Sequence, residues 1–149
     1  MIRFFVSSVL VVVCCLSARG NALEVEQQSL FVGKQGGYHS CRIPAIVVTG
    51  KGAVLAFCEA RKSSAADNGD IDLAVRRSFD QGKTWQPMEL LYEEGGSEAL
   101  TIGNPCPIAA ADGTIHLLFC RNNRAAFVMK STDDGKTFSK PVEITESLR

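Results

Sequence analysis

The sequence SFDQGKTW occupies residues 78–85, and the sequence STDDGKTF occupies residues 131–138. Both fit one pattern, in which Ser, Asp, Gly-Lys-Thr and an aromatic residue recur at fixed spacing. The Ser and Asp side chains of such a segment can bind backbone N–H groups inside a tight turn, while the glycine takes a positive φ. The aromatic side chain then packs beneath the turn, between neighbouring sheets. The pattern predicts two copies of one turn, which we call the Asp turns.

The segments around the two Asp turns also repeat. The turns are 53 residues apart, close to the roughly 50 residues of one propeller blade. Residues 46–58 (IVVTGKGAVLAFC) align without a gap with residues 108–120 (IAAADGTIHLLFC), and each segment predicts a strand, a glycine turn and a second strand. The third and fourth strands of each repeat are predicted before and after its Asp turn, at 71–77 and 87–92, and at 125–130 and 141–145.

The predicted fold class is therefore all-β, a β-propeller of four-stranded antiparallel blades. We place blade 1 at about residues 40–93 and blade 2 at about residues 102–146. A ring needs at least about four blades, so this chain is expected to supply only part of one. On the alignment above, blade 1 carries nine extra residues between its second and third strands. Insertions in repeat folds mark the binding face, so this loop locates the candidate site.

Composition limits the class of protein. The chain has 149 residues, the length of one ordinary domain. Lys plus Arg number 16, as do Asp plus Glu, and this balance argues against nucleic-acid binding, which usually needs a basic surplus. Hydrophobic residues make up 46% and charged residues 21%, which is typical of a globular chain.

Residues 1–22 are predicted to be a secretory signal peptide, which leaves a propeller domain at 23–149. Arg3 precedes an apolar stretch at 4–16, and small residues precede the expected cleavage after Ala22. A single-pass anchor is the alternative, although the stretch is too short to span a membrane. No integral membrane segment is expected after cleavage. We expect a secreted or periplasmic protein, with a lysosomal location as the alternative.

Four cysteines lie outside the predicted signal peptide: Cys41, Cys58, Cys106 and Cys120. They allow three full pairings, and free buried thiols are an equal alternative to disulfides. The sequence has no Cys-x-x-Cys pair and no Cys/His cluster, so we expect neither a metal site nor a cofactor.

Topology places Arg42 beside the extra loop. In an antiparallel meander, the start of the first strand and the loop between strands two and three lie at the same end. Arg42 therefore shares a rim with Arg61, Asp67 and Asp70. A guanidinium binds a carboxylate by two parallel hydrogen bonds, and a nearby carboxyl group could serve in glycoside cleavage if its surroundings set its pKa. Alternatively, Arg42 pairs with a carboxylate at the blade edge and the loop is a solvated turn.

Several of these residues resemble motifs of the exo-α-sialidases, which are six-bladed propellers of the neuraminidase type. Cys-Arg-Ile-Pro at 41–44 resembles their (Tyr/Phe)-Arg-Ile-Pro motif, and the Asp turns resemble their Asp boxes. Glu-Ala-Arg at 59–61, followed by Asp-Asn at 67–68, is similar to their acid/base loop. Ile-Gly-Asn-Pro at 102–105 is similar to the start of their second blade. The resemblance runs from about residue 30 to residue 149.

The resemblance implies a role for each of these side chains. Arg42 would be the first of three arginines that bind the carboxylate of sialic acid, and Asp67 would be the general acid/base. Arg61 would contact the sugar near its O4 hydroxyl, and we expect Asp70 to help shape the pocket. The implied reaction retains configuration through a tyrosine nucleophile activated by a glutamate. Its substrates would be sialylated glycans, namely glycoproteins, gangliosides and oligosaccharides.

The chain departs from the family pattern in two ways. Cys41 stands where the family has Tyr or Phe. The other two arginines and the Tyr/Glu pair have no counterpart, since Tyr38 and Tyr92 do not fit the place of the nucleophile. We therefore expect an N-terminal part of a sialidase that is inactive alone. The alternatives are a non-catalytic Asp-box propeller that binds glycans or a protein partner, and another glycosidase on the same scaffold.

Other polar residues are expected to be structural. Asp80 and Asp133 are interpreted as turn residues rather than catalytic carboxylates. Arg76 and Arg77 are expected at the surface.

Overall fold

A computed structural model describes residues 26–96 and 98–148, so the predicted signal peptide lies outside the described residues. Two four-stranded antiparallel sheets follow one another along the chain. Blade 1 consists of β1 (Ser40–Val48), β2 (Val54–Arg61), β3 (Ile71–Ser78) and β4 (Glu89–Tyr92). Blade 2 consists of β5 (Ile102–Ala109), β6 (Ile115–Arg121), β7 (Ala125–Ser131) and β8 (Val142–Glu143), with a 3-10 turn after it at Thr145–Leu148. Among the described residues, no helix is long and apolar enough to cross a membrane.

The all-β class and the order of four strands in each sheet confirm the prediction. The strands that follow the Asp turns are shorter than expected, because pairing of β4 begins only at Glu89 and β8 has two residues.

Both Asp turns form as the pattern predicts. In the second turn, the Ser131 hydroxyl accepts the Gly135 N–H at 2.9 Å, and the Asp133 carboxylate accepts the Thr137 N–H at 2.9 Å. The equivalent bonds within residues 78–84 are both 2.8 Å long. The glycine has a positive φ in each copy, 89° in the first and 79° in the second. Side chains therefore satisfy the N–H groups that the turn leaves free.

The second Asp turn packs against blade 1. The ring of Phe138 meets the ring of Phe57 edge-on, with centroids 6.2 Å apart and an interplanar angle of 83°. Gly135 lies directly against Leu55, so that a Cβ atom at position 135 would collide with the leucine side chain. Phe138 is thus a wedge between the two sheets, as expected from the sequence.

Arg77 also joins the two blades. Its Nε donates to the Gly135 carbonyl at 2.7 Å, and its Nη1 lies 2.7 Å from the Glu89 carboxylate. The prediction of a surface position for Arg77 is wrong, because the residue is only 7% exposed. Arg76, on the other face, donates to the Leu30 carbonyl at 2.7 Å and so holds the chain that precedes β1.

The repeat register differs from the gap-free alignment by one residue. Gly52 and Gly113 occupy the same place in the two hairpin turns, with φ of 87° and 86°. Ile43 and Asn104 occupy the same place in the first strands, each with positive φ before a proline, at 50° and 58°. Both pairs are 61 residues apart, whereas the alignment assumed 62. Between equivalent positions of the second strand and the Asp turn, blade 1 therefore has eight more residues than blade 2, rather than nine.

That correction changes which side chains face the neighbouring blade, because a shift of one residue moves every side chain to the other face of a strand. Leu55 of blade 1 corresponds to His116 rather than Leu117. Leu117 belongs to the buried cluster between the blades, as does Leu55, although the two lie on opposite faces of their sheets.

The four cysteines outside the predicted signal peptide carry free thiols in the part of the chain that the structure describes. Cys58 is buried on the face of blade 1 away from blade 2, where Cys41 packs against it. Burial raises the pKa of the Cys58 thiol.

Candidate active site

Arg42 lies at the start of β1, immediately before a bulge. The pairing of β1 with β2 is interrupted between Arg42 and Ala45, and Ile43 takes a φ of 50° within this interruption. A bulge bends its strand and changes the direction of the adjacent side chain. A β-branched residue in the left-handed region is strained, and such strain is frequent at functional sites. The side chain of Arg42 stays 45% exposed at the rim.

The loop between β2 and β3, residues 62–70, folds over the start of β1. Arg42 Nη1 lies 3.0 Å from Asp67 Oδ1 and donates to the Ala65 carbonyl at 2.9 Å. The Ser40 hydroxyl donates to the Ser64 carbonyl at 3.4 Å. The structure thus brings Arg42 and Asp67 together at one rim, as the topology of the meander requires.

Arg61 meets Asp67 from the other side. Its Nη1 lies 2.9 Å from Asp67 Oδ1 and donates to the carbonyls of Ala65 and Ala66 at 2.6 Å each. The Arg61 side chain is only 2% exposed, whereas that of Asp67 is 77% exposed. A buried cation and an exposed cation therefore share one exposed carboxylate oxygen.

The charges around Asp67 fix its protonation state. The hydrogen bond from Arg61 lowers the pKa of Asp67 most, and the charge of Arg42 lowers it further. Asp67 is therefore a carboxylate in this conformation. A general acid must carry a proton, so the pairing with one of the two arginines must weaken before Asp67 can donate one.

Glu59 is the residue whose place in the site the sequence analysis missed. It is 3% exposed, and its Oε2 accepts the Nε–H of Arg61 at 3.1 Å and an Nη2–H of the same guanidinium. Its Oε1 accepts the backbone N–H of Asn104, in blade 2, at 2.9 Å. The sequence does carry a signal for this pair: Glu59 and Arg61 alternate in an otherwise apolar strand, so they share one face.

Asp70 belongs to a different cluster from Arg42 and Asp67. Lys62 Nζ lies 3.0 Å from Asp70 Oδ1 and 3.4 Å from Asp72 Oδ2. The Tyr38 hydroxyl donates to the same oxygen of Asp72 at 2.9 Å. Burial raises the pKa of Asp72, while the hydrogen bond from Tyr38 opposes that rise. Asp70 is thus engaged with Lys62 at the base of the loop.

A polar cavity of about 570 Å³ lies between the loop and the rim of blade 2. Thr101 and Gly69 both line it and are joined to each other, since the Thr101 hydroxyl accepts the Gly69 N–H at 3.2 Å and donates to the Gly69 carbonyl at 3.0 Å. The polar residues that line the cavity include Arg61, Asn68, Asp70, Thr101, Asn122 and Asn123.

Within residues 26–96 and 98–148, no three His, Cys, Asp or Glu side chains are grouped to hold a metal ion.

Known proteins are similar to this chain over most of its length. The family model of the BNR repeat-like domain matches residues 52–149. An exo-α-sialidase of Aspergillus fumigatus is 35% identical over 75% of this chain and 35% of its own length. A sialidase of Bacteroides fragilis is 33% identical over 72% of this chain and 25% of its own length.

Among solved structures, the Hadza microbial sialidase Hz136 is 27% identical, with a TM-score of 0.65, over 74% of this chain and 27% of that one. The chain thus spans about a quarter to a third of the length of the proteins it matches.

Proposed function

Because this chain belongs to the BNR repeat-like domain family, we propose that it forms part of an exo-α-sialidase, which removes terminal sialic acids from glycoconjugates with retention of configuration. Relatives that carry the sialidase name support sialylated glycans as the substrate class. Within that class we propose glycoproteins, gangliosides and oligosaccharides. The chain alone holds no assigned nucleophile, so we propose that turnover needs blades beyond these two. We further propose export to a secreted or periplasmic location, with the lysosome as the alternative.

The observation that supports this proposal best is the carboxylate of Asp67 between the guanidiniums of Arg42 and Arg61. Sialic acid carries a carboxylate next to its anomeric carbon. That group would take the place of Asp67 on Arg42, the more exposed of the two cations. Asp67 would then face the glycosidic oxygen as the general acid/base.

Substrate binding would also prepare Asp67 for proton transfer. Arg42 helps to hold the pKa of Asp67 low, and the carboxylate of the substrate would neutralise that cation. The pKa of Asp67 would therefore rise when sialic acid binds, which favours the protonated form that the leaving oxygen requires.

Arg61 and Asp70 have less direct roles in this proposal. Arg61 uses its Nε–H and one Nη2–H on Glu59 and both Nη1–H groups on loop carbonyls, so a contact with the O4 hydroxyl of the sugar would use the second Nη2–H or displace a carbonyl. Asp70 would shape the polar cavity through its pairing with Lys62.

One observation favours the alternative of a non-catalytic propeller that binds glycans or a protein. Arg42 and Asp67 already neutralise each other, as a structural ion pair at a blade edge would. A binding module would use the rim without proton transfer. The two functions therefore differ in whether Asp67 is needed for turnover.

The test uses full-length protein containing this chain and a fluorogenic sialoside. Asp67→Asn is expected to lower kcat by about 100-fold or more, because a positioned acid contributes on the order of that factor. Asp133→Asn is the matched control, since its carboxylate lies in an Asp turn at the opposite end of blade 2, and it should keep kcat. Turnover by Asp67→Asn at the rate of the unchanged protein would contradict the role of Asp67.

A second measurement separates catalysis from binding. Sialic acid titrated into the same protein should shift the carbon-13 NMR signal of the Asp67 carboxyl group, and Arg42→Met should abolish that shift. Binding without any turnover would favour the non-catalytic alternative.

A further inference from the structure

Glu59 is a buried charge with an unusually complete set of partners. Its two oxygens accept three N–H groups, two from Arg61 of the same strand and one from the backbone of Asn104. A carboxylate at 3% exposure is costly to bury unless it is paired and hydrogen-bonded in this way. Removing one partner of such a pair leaves the other charge uncompensated.

Blade 2 supplies the space and a hydrogen-bond donor for the Glu59 carboxylate. A Cβ atom at Gly103 would collide with Glu59 Oε1, so only glycine leaves the necessary space. Asn104 has a φ of 58°, which turns its N–H towards Glu59, and its side chain donates to Asn123 Oδ1 at 2.9 Å. Blade 2 thus fixes Glu59 by backbone geometry rather than by a mobile side chain.

The fixed carboxylate in turn fixes Arg61. Two hydrogen bonds that converge on Glu59 Oε2 hold the Nε and Nη2 edge of the planar guanidinium. The remaining nitrogen, Nη1, is then directed at the loop, where it meets the carbonyls of Ala65 and Ala66 and the carboxylate of Asp67. The position of Asp67 therefore depends on a chain of contacts that begins in the other blade.

We propose that Glu59, seated on residues 103–104 of blade 2, is a positioning residue that acts through Arg61 to hold Asp67 at the rim. This inference rests on the proposed function only for the role of Asp67 in turnover. The positioning itself is a property of the charges and hydrogen bonds in this chain.

The experiment is a double-mutant cycle that follows the pKa of Asp67 by carbon-13 NMR of its carboxyl group. In the unchanged chain, Arg61→Met should raise the pKa of Asp67, because it removes the largest cause of its depression. In a Glu59→Gln background, the same substitution should raise it by less than half as much. A glutamine has one acceptor oxygen and cannot serve both Arg61 and Asn104, so the guanidinium is free to turn away.

Two further variants make the cycle decisive. Gly103→Ala leaves every charge in place but displaces the Glu59 carboxylate, and it should weaken the coupling in the same way. Glu89→Gln is the matched control, since Glu89 also pairs with a buried arginine of blade 1, and it should leave the coupling intact. An Arg61→Met effect of full size in both the Glu59→Gln and Gly103→Ala backgrounds would overturn the proposal.

The same variants are then assayed in the full-length protein. Glu59→Gln should lower kcat with little change in KM, because Arg42 is untouched, and Glu59→Asp should restore part of kcat. If the full-length protein shows no sialidase activity at all, the proposed function fails, while the NMR cycle still decides whether Glu59 positions Asp67.

Discussion

Blades 1 and 2 are closely similar at one end and differ at the other. At one end, the Asp turns at 78–85 and 131–138 share sequence, backbone conformation and hydrogen bonds to within about 0.1 Å. At the other end, the β2–β3 connection spans residues 62–70, whereas its counterpart in blade 2 spans residues 122–124. The repeated end builds the fold, and the unrepeated end carries every charge proposed to act on a substrate.

The Asp turns also differ in what lies beneath them. Gly135 contacts Leu55 of the other blade, whereas a Cβ atom at Gly82 would find only the Trp85 ring, at 3.9 Å. The second Asp turn is thus part of the contact between the two sheets, whereas the first Asp turn borders the chain before β1. Two copies of one turn pattern need not contribute equally to stability.

The largest expected effect comes from the glycines of the two turns. Both have positive φ, so alanine at either position should destabilise by about 1 kcal/mol or more. Gly135→Ala adds a collision with Leu55, and overpacking costs about 1–3 kcal/mol more. Urea unfolding of the two variants measures the difference. Equal losses of stability would show that the two turns contribute equally to the stability of the fold.

A smaller effect is expected at the aspartates. Hydrogen bonds from the side chain and backbone of the Thr four residues on lower the pKa of Asp80 and Asp133 to about 2. Their ionised forms therefore stabilise the fold above the ordinary pKa of 3.8, and this contribution is lost as the pH falls towards 2.

Asp133→Asn should accordingly lose less stability between pH 5 and pH 2 than the unchanged chain does, and Asp80→Asn should behave alike. Thermal unfolding midpoints across that range are the measurement. A parallel decline in all three proteins would mean that neither carboxylate contributes.

The smallest effect on the fold is expected from thiol labelling, which compares a buried cysteine of blade 1 with an exposed cysteine of blade 2. Cys58 is 1% exposed with a raised pKa, while Cys106 is exposed. Iodoacetamide should modify Cys106 without unfolding the chain and reach Cys58 only when blade 1 opens. Peptide mass spectrometry follows both sites. Equal rates would show that the buried face of blade 1 is open to solvent.

Local chemistry made the Asp turns predictable from sequence, because all their bonds lie within five residues. The register of the hairpins was not predictable in this way. The dipeptide Phe-Cys at 57–58 and 119–120 suggested one alignment, but the turn glycines and the bulge follow another, shifted by one residue. Both features set the pairing of the strands, and neither depends on the apolar residues that the alignment matched.

The candidate site also has a part that the sequence predicted and a part that it did not. The meeting of Arg42 with Asp67 follows from strand order alone, so the sequence predicted it. The partners of buried Glu59 and Arg77 include backbone groups of the other blade, which no periodicity within one strand reveals. Partners such as Asn104 and Gly135 lie 45 and 58 residues away along the chain, beyond the reach of any local pattern.

The bond between Arg42 and Asp67 has a consequence for selectivity. An arginine that already holds an internal anion does not capture ions from solution; it exchanges one anion for another. A small free anion such as chloride or acetate gains little from that exchange, because it offers no further contacts to compensate for the displaced aspartate. A ligand with additional hydroxyl and amide groups for the surrounding rim would compete better, so we expect the ion pair to disfavour the binding of simple salts.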